Sequence, residues 1–255
     1  MSDDGGVIAS AGSAHTFQVY PGGSNTYFEA SEMDLDPLSS TYLEYVSRGK
    51  VRQIDSNNNA IFGGNLGQKI DMSGDGDYII MYDLLAGGGG SAKIAVWSWN
   101  ASNQTYTLKG SPIALTSDRH DYGIERARIS NDGNFVAVGQ SDAEKVKSWD
   151  WDSSTSSWVA RPDISEPANL DGKFGSGLDI FDNNTIAVGG GRHASETEYS
   201  NSNGYAADTN DKGYVVIFEY NGSSWSQKGS AILGPNTAGS EFGTSIRVTR
   251  THTGW

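Results

Sequence analysis

Short runs of apolar and β-branched residues, separated by turn residues, recur along the whole chain. The clearest set lies between Phe174 and Gly229 and consists of Leu178–Ile180, Thr185–Val188, Tyr214–Tyr220 and Trp225–Lys228. Asp182-Asn183-Asn184 follows the first run and Asn221-Gly222 follows the third, and both sequences are typical of tight hairpin turns. The pattern therefore predicts four consecutive antiparallel strands that form one small sheet.

Two further copies of this unit lie in the middle of the chain. After Gly123 the runs are Ala127–Ile129, Phe135–Val138, Val146–Trp151 and Trp158–Arg161. After Gly67 the runs are Lys69–Met72, Tyr78–Tyr82, Lys93–Trp99 and Thr105–Lys109. Because a small sheet with two apolar faces needs a neighbour on each side, the copies predict an all-β repeat protein.

The two ends of the chain carry shorter or incomplete copies. The N-terminal runs are Val7–Ser10, Thr16–Tyr20 and Tyr27–Ala30, which match a second, a third and a fourth strand. A short copy follows, with the runs Met33–Leu35, Thr41–Val46, Lys50–Ile54 and Ala60–Phe62. Glu241–Val248 matches a first strand with no second strand after it, so the two ends predict one shared sheet.

A radial arrangement would bury both faces of every sheet and close the ring. We therefore expect a single domain, a five-bladed β-propeller of four-stranded antiparallel blades, in which the C-terminal strand completes the N-terminal blade. The predicted blades are residues 1–30 with 241–250, 31–64, 65–116, 117–168 and 169–235. An open arc cut from a longer array is the alternative.

Charge and composition exclude several classes of partner. The net charge of −13 leaves no basic stripe that could neutralise phosphates, so we expect no nucleic acid and no anionic membrane as a partner. The absence of cysteine excludes disulfides and thiolate chemistry. No run approaches the ~18 apolar residues of a membrane span, and the acidic start lacks the apolar segment of a signal peptide. We therefore expect neither membrane insertion nor a signal peptide.

Phe174-Gly175, Ile186–Gly190 and Tyr214–Trp225 together resemble FG-GAP-like propeller repeats. The resemblance is strong over residues 65–248 and weak over 1–64. Such repeats are common in secreted and surface proteins of marine microbes and in proteins of their viruses, and they imply an architecture but not a function.

In integrin-type members of the wider family, acidic loops between strands carry calcium. Asp71–Asp77 is the nearest approach in this chain, but position nine of such a loop would be Ile79, and calcium needs about six or more oxygens. A tight Asp-Gly hairpin is therefore the favoured interpretation of this loop. We expect no cofactor, with calcium as the alternative.

Paired aromatic residues occupy each third strand, at Trp97/Trp99, Trp149/Trp151 and Phe218/Tyr220. Residues two apart in a strand point to the same face of a sheet. We favour packing between adjacent blades over stacking on sugars, because every blade has to pack against an adjacent blade of the same kind.

The loop from Gly189 to Asp211 is the main departure from the repeat. Long insertions on one rim of a repeat protein often bind partners, although a loop without a binding role is an equal alternative. The candidate binding residues are Arg192, His193, Glu196, Glu198, Tyr199, Tyr205 and Asp208.

Neither a metal site nor a catalytic site is predicted. His15, His120 and His193 map to the same rim but lack the paired spacing of metal ligands. Asp34, Asp71 and Asp179 are at equivalent positions of predicted inner strands. That equivalence favours a structural role, because catalytic carboxylates need different environments.

These observations favour a non-enzymatic binding and assembly module. A β-rich composition typical of extracellular proteins, without a signal peptide, favours a virion surface, decoration or host-attachment protein at a virion or extracellular surface. Its partners would be other protein subunits of a coat or tail, or a surface glycan or receptor. The alternative is a carbohydrate-binding or glycoside-cleaving propeller of a marine microbe.

Overall fold

A computed structural model describes residues 7–12, 27–33, 37–41, 45–52, 61, 69–82, 92–115, 124, 126–170, 172–191, 213–235 and 241–248. This part of the chain is built from β-strands, with one 3₁₀ turn at Ser141–Ala143. No helix in these ranges is long and apolar enough to cross a membrane.

The strands form several small sheets. In chain order they are β1 (Val7–Gly12), β2 (Tyr27–Met33), β3 (Tyr45–Arg52), β4 (Lys69–Met72), β5 (Tyr78–Tyr82), β6 (Lys93–Asn100), β7 (Thr105–Leu108), β8 (Ile113–Ala114), β9 (Arg126–Ile129), β10 (Phe135–Gln140), β11 (Lys145–Asp152), β12 (Ser157–Ala160), β13 (Ile164–Ser165), β14 (Lys173–Asp182), β15 (Thr185–Gly191), β16 (Tyr214–Tyr220) and β17 (Trp225–Leu233). The sheet orders are β1-β2-β3, β4-β5-β6-β7, β12-β11-β10-β9 and β14-β15-β16-β17. The pairings in the first, second and last of these sheets are antiparallel. The prediction of an all-β chain with antiparallel four-stranded sheets is therefore confirmed.

The chain divides into two compact units. One comprises residues 1–119, 129–136 and 150–159, and the other comprises residues 120–128, 137–149 and 160–255. The first unit contains β1–β8 and the second contains β14–β17, while strands β9–β12 contribute residues to both.

Each unit has buried apolar side chains on its strands. In the first unit, one buried cluster comprises Val51, Ile61, Met72, Ile79, Met81, Ala95, Trp97 and Tyr106. In the second unit, Phe174, Leu178, Ile186, Val188 and Val216 are fully buried on β14–β16. Removal of this apolar surface from water is the main force that holds each sheet to its neighbours within its unit.

The fourth strand is interrupted in two sheets and continuous in the last one. β8 and β13 pair with the starts of β6 and β11, after breaks at Pro112 and Pro162. Proline has no N–H to donate to a ladder, so it interrupts a strand. Ala231 occupies the position of Pro112 in the matching sequences Lys-Gly-Ser-Pro-Ile and Lys-Gly-Ser-Ala-Ile, and β17 therefore continues to Leu233.

The N-terminal strands differ from the predicted ones. β2 continues through the expected blade boundary after Ala30 and pairs with both β1 and β3, because no Gly, Pro, Asn or Asp lies between Ala30 and Met33. Thr41–Val46 and Lys50–Ile54 were expected as separate strands, but Tyr45–Arg52 is continuous. A register shift beside Ala30 accommodates Arg48 as a bulge. Thr16–Tyr20 lies outside the described residues.

The C-terminal segment also differs from its prediction, because Glu241–Val248 is not a strand. Residues 242–245 form a turn in which the Thr244 backbone N–H donates to the Glu241 carbonyl at 3.1 Å instead of to a neighbouring strand. The turn lies against the last sheet: a Cβ added to Gly177 or Gly189 would clash with the Gly243 carbonyl oxygen.

The same glycine contact occurs one repeat earlier. A Cβ added to Gly139 of β10 would clash with the Gly175 carbonyl oxygen of β14. Gly175 and Gly243 both have φ near +90°, at +94° and +92°, a region that other residues rarely adopt. Glycine is therefore required on both sides of the contact: Gly175 and Gly243 adopt a positive φ, and the glycine that faces each carbonyl oxygen has no room for a Cβ.

Candidate functional site

Lys109, directly after β7, contacts the hairpin turn between β9 and β10. Its Nζ donates to the Gly133 carbonyl oxygen at 2.7 Å and to Asn134 Oδ1 at 2.9 Å. Three aromatic rings surround the ammonium, with centroids 4.5 Å (Tyr78), 5.1 Å (Trp151) and 5.7 Å (Trp158) from Nζ. Trp158 Nε1 also donates to the Lys109 carbonyl at 3.0 Å.

These surroundings change the acid–base properties of two residues. Burial lowers the pKa of Lys109 from 10.5 to about 8, against the opposing charge of Asp132. Burial also raises the pKa of Tyr78, and the charges of Asp75, Asp77 and Asp132 act in the same direction. The site therefore contains an amine that loses its proton far more easily than an ordinary lysine.

Arg161 makes equivalent contacts with the last sheet. Its Nη1 donates to the Asn183 carbonyl at 2.7 Å, and its Nη2 to Asn184 Oδ1 at 3.4 Å. The guanidinium carbon lies 4.1 Å from the ring centroid of Tyr220 and 5.4 Å from that of Trp225. A cation that follows the fourth-strand run therefore stacks on two aromatic rings of the next sheet and binds its hairpin turn.

Lys228 is the third residue at this position and has different surroundings. It lies within β17 and pairs with Glu219 of the neighbouring strand β16. Its side chain is 57% exposed. Among the residues that the structure describes, Lys228 therefore shares a sequence position with Lys109 and Arg161 but not their aromatic contacts.

The paired aromatics have two distinct roles. The first member of each pair is buried, as at Trp97, Trp149 and Phe218. The second member packs on the aromatic residue of the fourth strand, in the pairs Trp99–Tyr106, Trp151–Trp158 and Tyr220–Trp225. The sequence interpretation did not include the cations, although a lysine or arginine at the end of each fourth run was a visible signal.

Two inner-strand carboxylates also make equivalent contacts. Asp71 Oδ2 accepts a hydrogen bond from the Ile129 backbone N–H at 3.3 Å. Asp179 Oδ2 accepts one from the Val248 N–H at 2.5 Å, at the same strand position. Asp179 Oδ1 lies 3.4 Å from Arg128 Nε and 3.9 Å from Arg247 Nη1, and Asp179 is buried. Asp71 and Asp179 therefore each bind the backbone of a later segment of the chain, at Ile129 and at Val248.

The acidic hairpin turns use their carboxylates internally. Asp75 Oδ1 accepts hydrogen bonds from Ser73 Oγ at 2.6 Å and from the Asp77 N–H at 2.9 Å. Asp132 accepts the same two bonds from Ser130 Oγ and the Asn134 N–H. Within the described ranges, no three histidine or acidic side chains come together as a metal site.

The predicted rim-loop residues lie outside the described residues. These are Arg192, His193, Glu196, Glu198, Tyr199, Tyr205 and Asp208. The other two histidines of the proposed rim, His15 and His120, and the inner-strand Asp34 also lie outside them. The structure therefore does not bring these residues into the candidate site around Lys109.

Fold and contacts define an all-β repeat protein whose four-stranded sheets are joined by cations stacked on aromatic rings. No protein-family model and no curated protein sequence matches the chain. Similar solved structures include a Lactobacillus plantarum protein with 13% identity and a TM-score of 0.46, in a match that covers 81% of this chain and 51% of that one. Hsv2p of Kluyveromyces lactis is another, with 12% identity and a TM-score of 0.47, in a match that covers 89% of this chain and 58% of that one. A third is the β-propeller domain of the Trilobed protease of Pyrococcus furiosus, which has an open velcro topology. Its identity to this chain is 9% and its TM-score is 0.40, in a match that covers 89% of this chain and 55% of that one. The chain spans between 51% and 58% of the lengths of these proteins.

Proposed function

We propose that the chain is a non-enzymatic binding and assembly module, built as a five-bladed β-propeller that its C-terminal segment closes. The observation that carries the proposal is the repeated use of charged side chains to join segments of the scaffold. Lys109 and Arg161 bind the next hairpin turn, and Asp71 and Asp179 bind the next backbone segment.

Ring closure is supported by the last sheet and the C-terminal segment. Gly243 repeats the carbonyl–glycine contact of Gly175, and the Val248 N–H repeats the bond that the Ile129 N–H makes. Ile164 of β13 is 3% exposed, whereas Ile232 at the equivalent position of β17 is 54% exposed. A further sheet beside β17 would bury the exposed apolar side chains of Ile232 and Leu233 at the end of this strand.

The partner would bind the loop that departs from the repeat, residues 189–211. For a virion surface, decoration or attachment protein, that partner is a coat or tail subunit or a host-surface receptor. The acidic charge of −13 favours a partner with a basic or neutral surface, because like charges repel. A carbohydrate-binding or glycoside-cleaving propeller is the second candidate, because Trp and Tyr abound in the chain and both stack on sugars.

Deletion of residues 196–208 tests this proposal, with the unfolding temperature as the control for folding. We expect the intact protein to capture coat or tail proteins from a lysate of its source, and the folded deletion variant to lose that capture. Binding to a glycan array, lost in the same deletion variant, would favour the carbohydrate candidate. Turnover of a glycan that Asp71→Asn or Asp179→Asn abolishes would refute the non-enzymatic proposal.

A further inference from the structure

An amine, a carboxamide and a carboxylate lie in one hydrogen-bonded chain at the Lys109 site. Lys109 Nζ lies 2.9 Å from Asn134 Oδ1, although the two residues are 25 positions apart. Asn134 Nδ2 in turn donates to Asp132 Oδ2 at 3.2 Å. The amine is thus next to the amide carbon Cγ of Asn134, and the carboxylate is next to the amide nitrogen.

The surroundings increase the fraction of the amine that is neutral relative to an ordinary lysine. The ring centroids of Tyr78, Trp151 and Trp158 lie between 4.5 and 5.7 Å from Nζ, and burial lowers the Lys109 pKa to about 8. A neutral amine is a nucleophile and an ammonium is not. Asp132 is the charged group that acts on Lys109 directly, while Asp75 and Asp77 act on the adjacent Tyr78.

We propose that Lys109 and Asn134 form an intramolecular isopeptide bond, with Asp132 as the proton carrier. The Nζ lone pair attacks Asn134 Cγ, the Cγ–Nδ2 bond breaks, and ammonia leaves. The Asp132 carboxylate takes the proton that Nζ loses and passes it to the departing Nδ2. The step needs no oxidant, metal or cofactor, because an amine and an amide simply exchange into a new amide and ammonia.

The equivalent positions provide natural comparisons. Arg161 Nη2 lies 3.4 Å from Asn184 Oδ1, but this side chain carries a delocalised guanidinium instead of a nucleophilic amine. Lys228 is exposed and paired with Glu219. Within the described part of the chain, Lys109 is the one of these three positions that combines an amine, a neighbouring amide and a neighbouring carboxylate.

Intact-mass spectrometry of the denatured full chain tests the bond. We expect the mass to be lower than the sequence mass by one ammonia, and a protease digest to contain one branched peptide that includes both Lys109 and Asn134. Lys109→Arg and Asn134→Ala should each restore the full mass, while Asn184→Ala, at the matched position of the last sheet, should retain the deficit. Asp132→Asn should remove or slow the loss, whereas Asp75→Asn, in the equivalent turn, should not.

Two results would overturn the proposal. One is a mass equal to the sequence mass after the folded protein has been incubated above the pKa of Lys109. The other is an ammonia deficit that persists in Lys109→Arg, which would assign the loss to a succinimide at an Asn-Gly step such as Asn221-Gly222. Both results would leave the Lys109–Asn134 contact as a hydrogen bond only.

Discussion

Two buried serines differ in what their hydroxyl groups contact. Ser176 Oγ accepts a hydrogen bond from the Gly191 N–H at 2.9 Å. Ser148 is 1% exposed, and its Oγ has no hydrogen-bond partner in the part of the chain that the structure describes. Val96 occupies the equivalent position of β6 and is equally buried. The hydroxyl of Ser148 is therefore a buried polar group without a hydrogen-bond partner among the described residues.

Ser148→Val should raise the free energy of unfolding by about 1–2 kcal/mol, because it removes a buried hydroxyl without a partner. Ser148→Ala, which adds no volume, should also stabilise the protein. Ser176→Val should instead lower the free energy of unfolding by about 1–3 kcal/mol, since the Gly191 N–H loses its acceptor. Urea denaturation of the three variants measures these differences, and a destabilised Ser148→Ala would contradict the assignment.

At the scale of the element, Lys109 after β7 and Arg161 after β12 each connect their own sheet to the next sheet. Arg161→Ala should lower the free energy of unfolding by about 2–3 kcal/mol, because it removes charge-assisted hydrogen bonds and the stacking on Tyr220. Lys228→Ala, at the matched position of β17, should change it by less than about 0.5–1 kcal/mol, since an exposed ion pair contributes little. Chemical denaturation measures the free energy of unfolding of both variants. Equal decreases for Arg161→Ala and Lys228→Ala would mean that the aromatic contacts of Arg161 do not stabilise the protein.

The glycine contacts give a second test at this scale. Gly139→Ala and Gly189→Ala each place a methyl group against a backbone carbonyl, and overpacking of this kind costs about 1–3 kcal/mol. Ser226→Ala on the exposed strand β17 is the control and should be neutral. Thermal unfolding of the three variants is the measurement, and an unaffected Gly189→Ala would show that the C-terminal turn does not depend on the contact.

The three complete sheets were predictable because alternation and turn residues mark every main strand. β8 and β13 were missed, since two residues are too short to show alternation. The sequence predicts two strands in place of β3, because Arg48-Gly49 is typical of a turn, whereas in the sheet Arg48 forms a bulge. Of the candidate site, the sequence identified Trp151 as one of the paired aromatics. It did not identify Lys109 and Asn134, because only folding brings residues 25 positions apart into contact.

At the scale of the whole molecule, the proposed ring depends on the C-terminal segment. Deletion of residues 241–255 would remove the Val248 N–H and Arg247 from the buried Asp179 and expose the glycine surface of β14 and β15. We expect a loss of at least about 2 kcal/mol and a lower unfolding temperature for the entire chain, since a buried carboxylate loses two partners. An unchanged unfolding temperature would refute closure.

The carbonyl of Gly175 against Gly139 has a consequence for how such a chain changes over evolutionary time. Two Phe-Gly sequences each place a carbonyl against a glycine of the preceding sheet: Gly175 against Gly139, and Gly243 against Gly189. A tandem duplication of a unit that carries both the Phe-Gly and the receiving glycine therefore supplies both halves of the new junction. Recombination within a repeat would separate the two halves. Gain or loss of whole units is therefore the easiest path by which relatives could differ in size.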